Sequence, residues 1–474
     1  MMGLLVAPKS TTMRILQVNH QFPPFSSQGS EVYCRNHGLV LANAGDEVAV
    51  FHISNTTPVR PWRLERGWDQ GLLTFHCVDG GDYGRQADWP NAFLAKSFAD
   101  VLKEFRPHIV HFHNYLSLAD DLVGLAKQCG AAVVYTLHDY GLICPNNLLL
   151  RHDGSLCGKA DASFFEACCP QMLRVSGGRP PLVASRLPSL ARWRKFAESY
   201  PHRRRRGLLQ AGVGAAERLL GHPLNTNVAA KRDFYFASTR RIFAGVDLFI
   251  APCDYLRQRF VGCGLPAERV VHIRYGMVHF DRAPHRPSMD QRLRFGYIGA
   301  FHSHKGIAVL VEAFHGLGDR ASLHLHGSSF GSPVSEAHFR RFTADPGSGV
   351  VVHGRYDNAR IGELLAGLDA IVVPSIWYEN SPLTIQEAQI AGVPVITGNE
   401  GGMAELVRDG VDGRLFRIGD AVDLRRVLLE LIHDPAQLQR LRSQAPVVPS
   451  IETQSAQVRE HYLQLLASSS RPPG

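Results

Sequence analysis

The sequence predicts an α/β protein of two Rossmann-like, doubly wound domains facing each other across a cleft. Three observations predict it. Short β-branched apolar runs alternate with helix-patterned stretches, as βαβ units and parallel sheets require. The alternation occurs twice, on either side of a polar, Pro-containing stretch at 281–291. The chain has 474 residues, 45% of them hydrophobic, which is enough for two buried cores.

The first half opens on Arg14–Asn19 (RILQVN), followed by apolar runs at 47–53, Leu72–Val78, 108–113 and 131–137. Each is β-branched and bounded by turn signals, so each reads as a buried parallel strand. Helices fit between them at 31–44, stopped by Gly45, and at Ala92–Phe105, stopped before Pro107. Runs at 246–252 and 270–274 read as the last strands of this half. The second half repeats the rhythm at 294–298, Ala321–His326, 350–353 and 370–374, with helices beginning near Gly306, Ala359 and Pro382. The expected domains are residues 13–280 and 290–450, with a C-terminal helix or tail at 451–474. Residues from about 170 to 235 are rich in Arg, Pro and Gly and read as an insertion into the first domain. Open α/β sheets bind ligands beyond the carboxyl ends of their strands, so the cleft is where function is expected.

Charged residues are 20% and aromatics 9%, with 44 Gly and 28 Pro, which excludes a fibrous or wholly disordered chain. The net charge of +8 is local. Between Arg174 and Arg206 ten basic residues face Glu198 alone, so the remainder is slightly acidic. Nine Cys are too sparse for a disulfide framework and fit a reducing, cytoplasmic setting. Residues 1–13 hold the apolar run Leu4 to Ala7 without a basic segment before it, and read as a ragged leader. No run approaches the roughly 18 apolar residues needed to cross a bilayer, so the expectation is a soluble or peripheral protein.

The stretch Glu379-Asn-Ser-Pro-Leu-Thr-Ile-Gln-Glu387 directly follows the strand at 370–374 and precedes Gly392-Val393-Pro394. Ser381 is a candidate N-cap and Pro382 suits the first helical position, which leaves Glu379 in the preceding loop. Asn380, Ser381, Pro382 and Leu383 then surround a helix start whose free amides and positive dipole end suit a diphosphate. Glu387 lies about five residues further in, roughly 7–8 Å along the axis. That distance suits a carboxylate accepting hydrogen bonds from a ribose diol, with Glu379 beside the sugar on the other side of the phosphates. In the first half, Gly29 and Ser30 end the turn between the first strand and first helix and permit close backbone approach to an anion, or form a plain β–α turn. His111 and His113 alternate on one strand and point to one sheet face, but no third ligand at metal-like spacing accompanies them, so no metal is assigned.

On these residues the chain resembles the group 1 retaining glycosyltransferases of GT-B architecture. Phe295-Gly-Tyr-Ile-Gly299 through Lys305-Gly306 is similar to that family's strand, glycine loop and phosphate-binding Lys. Gly401-Gly402-Met403-Ala404-Glu405-Leu406-Val407, with Gly410 and Gly413, is similar to the element after the acid pair. The resemblance covers most of residues 13–435. It implies an acceptor-binding first domain and a nucleotide-sugar-binding second domain. It also implies transfer of a sugar from a nucleoside diphosphate to an acceptor hydroxyl, with retention and no essential metal or other cofactor. Carried over by position, it assigns Glu379 and His113 to the reacting sugar as catalytic residues. It assigns Gly29, Ser30, His138, Gly299, Lys305, Asn380, Ser381, Pro382, Leu383 and Glu387 to the donor, with Glu387 on the ribose and Lys305 on the diphosphate. Where the family commonly has Arg after the loop glycine, this chain has Ala300, which weakens charge neutralisation unless His304 or His302 contributes; otherwise His304 is a surface histidine beside a lysine.

Two features stand outside the motif. Cys144, Cys157, Cys168 and Cys169 read as a structural zinc site, a redox bridge or free thiols in a lid loop. The basic segment 174–206, with Trp193, Phe196 and Tyr200, suits anionic membrane lipid or an acidic lipid-linked acceptor, or is a solvated face. No recognition fold accompanies it, so nucleic acid is not an expected partner. The leading expectation is a glycosyltransferase acting at a cytoplasmic site on a glycan, a lipid-linked saccharide or a small-molecule acceptor, either free in the cytoplasm or peripheral at the inner membrane face. The alternatives are a nucleotide-sugar 2-epimerase of the same architecture and an inactive donor-binding regulator.

Overall fold

The computed structural model describes residues 12–26, 29–54, 63–78, 92–114, 121–151, 154–158, 228–290, 292–327, 340 and 346–469. Among them the strands form two sheets. The first contains β1 (Arg14–Asn19), β2 (Glu47–Ser54), β3 (Arg63–Asp69), β4 (Leu72–Val78), β5 (Ile109–Phe112), β6 (Ala132–Thr136), β7 (Leu248–Ala251) and β8 (Val270–His272). Their spatial order is β3-β4-β2-β1-β5-β6-β7-β8. All neighbours run parallel except β3, which pairs antiparallel with β4. That edge strand departs from the all-parallel expectation. It is joined to β4 by a tight turn through Gln70 and Gly71, both at positive φ.

The second sheet contains β9 (Leu293–Ile298), β10 (Ala321–His326), β11 (Val350–Gly354), β12 (Ala370–Val373), β13 (Val395–Gly398) and β14 (Gly413–Phe416). Its order is β11-β10-β9-β12-β13-β14, parallel throughout. Strand order reverses between β1 and β5 in the first sheet and between β9 and β12 in the second. The loops that leave these strands are the two switch points, where doubly wound sheets open a crevice.

Each sheet is covered on both faces. Phe51, Phe75 and Phe98 centre one cluster on the first sheet; Phe295, Phe314 and Leu428 centre one on the second. Each fully buried large apolar side chain contributes about 1.5–3 kcal/mol. The helix Ile451–Ser469 belongs by sequence to the second half but packs on the first sheet, where Val458 and Tyr462 join Ile15, Val50 and Ile109. An ion pair of Arg459 with the buried Asp46, at 2.7 Å, fixes it there. The chain crosses between the domains twice, and the two crossings run side by side: Met277 N–H donates to Pro449 O, and Ile451 N–H donates to Met277 O, each at 2.9 Å.

Candidate functional site

The loop from Pro374 to Pro382 carries the acid-pair motif from the end of β12 into the cleft helix, Leu383–Ala391. The helix starts one residue later than the sequence suggests. Pro382 itself is the N-cap, with φ −57° and ψ 122°, and no side chain caps the helix. Ser381 is therefore not the cap. Its Oγ accepts from Gln386 Nε2 at 3.3 Å, while its own N–H donates to Asn380 Oδ1 at 2.6 Å. The correction strengthens the anion site, because an uncapped start leaves the first-turn amides open to a ligand.

Glu379 is buried beside this start. Its Oε1 accepts from Lys305 Nζ at 2.7 Å and from Ser375 Oγ at 2.6 Å. Burial by itself raises a carboxyl; here the Lys305 ammonium and the Ser375 hydroxyl outweigh it and hold Glu379 below its ordinary value, ionised. Lys305 reaches it from a single turn, Ser303–Lys305, that ends at Gly306. Gly306 has φ +71°, and a Cβ there would lie 1.8 Å from the Pro374 carbonyl oxygen. Only glycine lets the two loops touch. Gly306→Ala is expected to cost about 2–4 kcal/mol, through a backbone clash added to left-handed strain. Calorimetric melting should show a midpoint lower by at least about 4 °C. Gly402 closes the other side in the same way: its N–H donates to Glu379 O at 2.7 Å, and a Cβ would lie 1.6 Å from Asn380 O.

Glu387 is half-buried on the cleft helix near Tyr356, and burial pushes its carboxyl up to about 7. Gly299, at φ +152°, ends β9 and lets Gly327 approach; a Cβ on Gly327 would lie 1.8 Å from Gly299 O. Ala300 brings no charge, and its carbonyl accepts from Tyr297 Oη at 2.6 Å. His304 does not replace the missing cation. Burial first, and then the neighbouring Lys305, lower it to about 4, so it is neutral at pH 7. Its ring stacks on His302.

The first domain meets this surface directly. Gly29 begins the helix Gly29–Asn43, and a Cβ on it would lie 3.9 Å from Leu383 Cδ1. The next residue, Ser30, donates through Oγ to Glu31 Oε2 at 3.1 Å, and its carbonyl accepts from Asn19 Nδ2 at 3.3 Å. Glu31, fully buried, also receives Ser26 Oγ at 3.2 Å and lies 3.3 Å from His20 Nε2. His138 follows β6. Its carbonyl accepts from Asn380 Nδ2 across the cleft, and Tyr275 Oη lies 2.5 Å from its Nδ1. A further cross-domain link joins Glu405, whose carboxylate accepts the N–H of Asp254 at 2.8 Å and of Tyr255 at 2.5 Å.

His113 does not sit where the sequence reading put it. Its side chain is 0% exposed, with Nδ1 3.2 Å from His138 Nε2 and Nε2 2.6 Å from Gln17 Oε1. A ring so enclosed cannot contact a sugar in the cleft; the partly exposed His138 is the imidazole at the surface. His111 and His113 do share a sheet face, with ring centroids 4.2 Å apart. The ring nitrogens of His111 are engaged too, by Tyr462 Oη at 2.5 Å and Thr136 Oγ1 at 2.7 Å. Burial holds His113, His111 and His138 below the ordinary imidazole value, and all three are neutral.

Among the described residues, no group of three or more His, Cys, Asp or Glu is placed to hold a metal. Cys144 and Cys157 are free thiols, Cys144 donating to Asn146 Oδ1 at 2.8 Å; Cys168, Cys169 and the basic segment 174–206 lie outside the described residues. A cavity of about 600 Å³ lined by Arg14, Glu47, Arg66 and Lys103 lies at the amino ends of β1 and β2, away from the cleft. Sequence reasoning missed Ser375, Gln17, Tyr275 and Tyr356. No motif marks them: Gln17, Tyr275 and Tyr356 meet partners remote in the chain, and Ser375 reaches Glu379 four residues on.

Two doubly wound domains, with an uncapped helix start and an acid pair between them, define a protein of the GT-B type. Comparison with known proteins agrees at the level of family. The chain belongs to the group 1 glycosyltransferases: the model for "Glycosyl transferase 4-like domain" matches residues 28–276, over half of the chain, and that for "Glycosyl transferases group 1" matches 281–447. It is 26% identical over 235 residues to the amylovoran biosynthesis glycosyltransferase AmsK of Erwinia amylovora, covering 48% of this chain and 55% of that protein. It is 27% identical over 181 residues to a GDP-mannose-dependent alpha-mannosyltransferase of Corynebacterium glutamicum, covering 38% and 41%. The chain thus spans about half the length, or less, of these curated relatives. Among solved structures, Anabaena HepE in complex with UDP is similar with a TM-score of 0.60 at 16% identity, over 95% of this chain and 100% of that one. Sucrose-phosphate synthase of Thermosynechococcus elongatus gives 0.60 at 18% identity, over 96% and 100%. These likenesses show the GT-B fold.

Proposed function

We propose that this protein transfers a sugar from a nucleoside diphosphate to an acceptor hydroxyl, with retention at the anomeric carbon. The observation that carries this reading is the uncapped start of Leu383–Ala391 at a switch point, flanked by the Lys305–Glu379 pair and faced across the cleft by Gly29. Departure of a nucleoside diphosphate leaves negative charge on the phosphate and positive charge on the anomeric carbon. The helix amides and Lys305 answer the first charge, and the ionised Glu379 answers the second. Glu387 takes the ribose diol, and the first-domain face at Gly29 and His138 holds the sugar against the acceptor. Attack on the face the diphosphate leaves, with that phosphate taking the acceptor proton, gives retention without a covalent intermediate on the protein. Closure of the domains over the donor excludes water, and with it hydrolysis.

The relatives' names speak of UDP and GDP-mannose, so UDP, GDP and ADP are the ligands to try by calorimetry, followed by mass spectrometry with the corresponding sugar nucleotides and glycan or lipid-linked acceptors. Release of free diphosphate with a glycosylated or hydrolysed sugar supports the reading. A sugar changed while still on its nucleotide means an epimerase, and binding without turnover means a regulator.

A further inference from the structure

We propose that Tyr275 is a positioning residue for this reaction: its hydroxyl, hydrogen-bonded to Nδ1 of His138, fixes the orientation of that ring, so that the crossing between the domains sets the imidazole at the cleft. The proposal rests on the reading of the cleft as a glycosyl-transfer site.

The direction of the hydrogen bonds follows from one end. As the Gln17 amide is placed, its Oε1, which can only accept, faces His113 and also receives the Cys34 thiol at 3.4 Å. His113 Nε2, 2.6 Å away, must therefore carry the proton. A neutral ring has one N–H, so His113 Nδ1 is an acceptor, and His138 Nε2 at 3.2 Å donates to it. His138 is neutral as well, which makes its Nδ1 an acceptor. Tyr275 Oη, 2.5 Å from that nitrogen, is the donor. Every proton between Gln17 and Tyr275 is thereby assigned from the Gln17 end, and the tyrosine hydroxyl completes the chain by anchoring the His138 ring at Nδ1.

Tyr275 is held where it can make that choice. Its ring is 5% exposed, lies 4.9 Å from Tyr33 and stacks on His138 at 5.5 Å, centroid to centroid. It sits within the outgoing crossing, next to Gly276, where a Cβ would lie 2.3 Å from Ser450 O of the returning one. Any side chain at 276 would part the two crossings. The second domain grips the same histidine by its backbone, through Asn380. His138 is thus fixed by the crossing at its ring and by the second domain at its carbonyl.

Tyr275→Phe keeps the ring and removes only the donor. It is expected to lower kcat about ten- to a hundredfold, the scale set by an ångström of misplacement, while donor KM stays within about twofold. Long-range proton–nitrogen spectra of protein labelled with ¹⁵N-histidine, with His138 identified by its loss in His138→Gln, should show an Nε2–H ring in the wild type and, in Tyr275→Phe, the same tautomer with its Nδ1 signal shifted by loss of the hydrogen bond. Gln17→Leu cuts the chain at its other end and is expected to reproduce the kcat loss without touching the crossing. A wild-type spectrum in Tyr275→Phe overturns the assigned chain, and a wild-type kcat beside an altered spectrum overturns the positioning role. If the unaltered protein transfers no sugar, the reading of the cleft fails, while the spectra still decide the hydrogen-bond chain.

Discussion

Glu379→Gln is expected to lower kcat by about a hundred- to a thousandfold, the range for removing one preorganised electrostatic group from a reacting centre. The substitution is nearly isosteric, so Ser375 and Lys305 keep a partner at the same place; only the charge goes. With that charge lost, the positive charge on the anomeric carbon is no longer answered. Lys305, one-third exposed at its side chain, keeps a neutral partner but loses the opposing charge of its ion pair. Its ammonium then serves a diphosphate alone, and nucleoside diphosphate affinity should stay level or tighten. Steady-state kinetics together with calorimetry separate the two effects. A variant with wild-type kcat, or one whose whole loss lies in affinity, would remove Glu379 from the chemistry.

Glu387→Gln is expected to act in the opposite sense, weakening nucleoside diphosphate binding about ten- to a hundredfold with a smaller change in kcat at saturation. Hydrogen bonds to a charged acceptor contribute about 1.5–3 kcal/mol each, and a ribose diol offers two hydroxyls. The same residue gives a pH dependence. Burial disfavours the charged form and pushes its carboxyl up to about 7. Ribose hydroxyls donate to the ionised form, so the ligand pulls the group's pKa down and binding releases a proton. Affinity is therefore full above pH 7 and falls as pH drops through 7, by about three- to tenfold between pH 7.5 and 6. In Glu387→Gln that slope should vanish. Calorimetry across this range in buffers of differing ionisation enthalpy measures both the affinity and the proton.

Much of this fold is legible in the sequence where an element is buried on both sides. Leu72–Val78, Ala321–His326 and Ala92–Phe105 fall where apolar runs and helical period place them. Arg63–Asp69 is not legible. It is an edge strand that carries four charged residues, a glycine and an exposed Trp68, and only its pairing with β4 makes it a strand. The four-residue strands β13 and β14 are likewise too short, and too interleaved with glycine, to declare themselves alone. The cleft helix shows the limit of local rules: a Pro after a Ser reads as cap and first turn, yet ψ at Pro382 stays extended and the cap moves onto it.

The candidate site divides along the same line. Glu379, Asn380 and Glu387 stand in one contiguous motif at a strand end, and Lys305 and Gly299 in another. What the sequence hides is which of them touch. Lys305 and Glu379 are 74 residues apart, and Tyr275 and His138 are 137 apart, and neither pair has a local signature. His113 failed as a contact residue for a related reason: alternation along β5 gives its sheet face but not what stacks above it, and His138 occupies that place.

The crystal structure of the protein with the nucleoside diphosphate that calorimetry selects is the most direct test. The diphosphate oxygens are predicted to lie about 3 Å from the amides of Leu383 and Thr384, with the ribose hydroxyls on the carboxylate of Glu387. A diphosphate bound elsewhere, with that helix start still bare, would contradict the account.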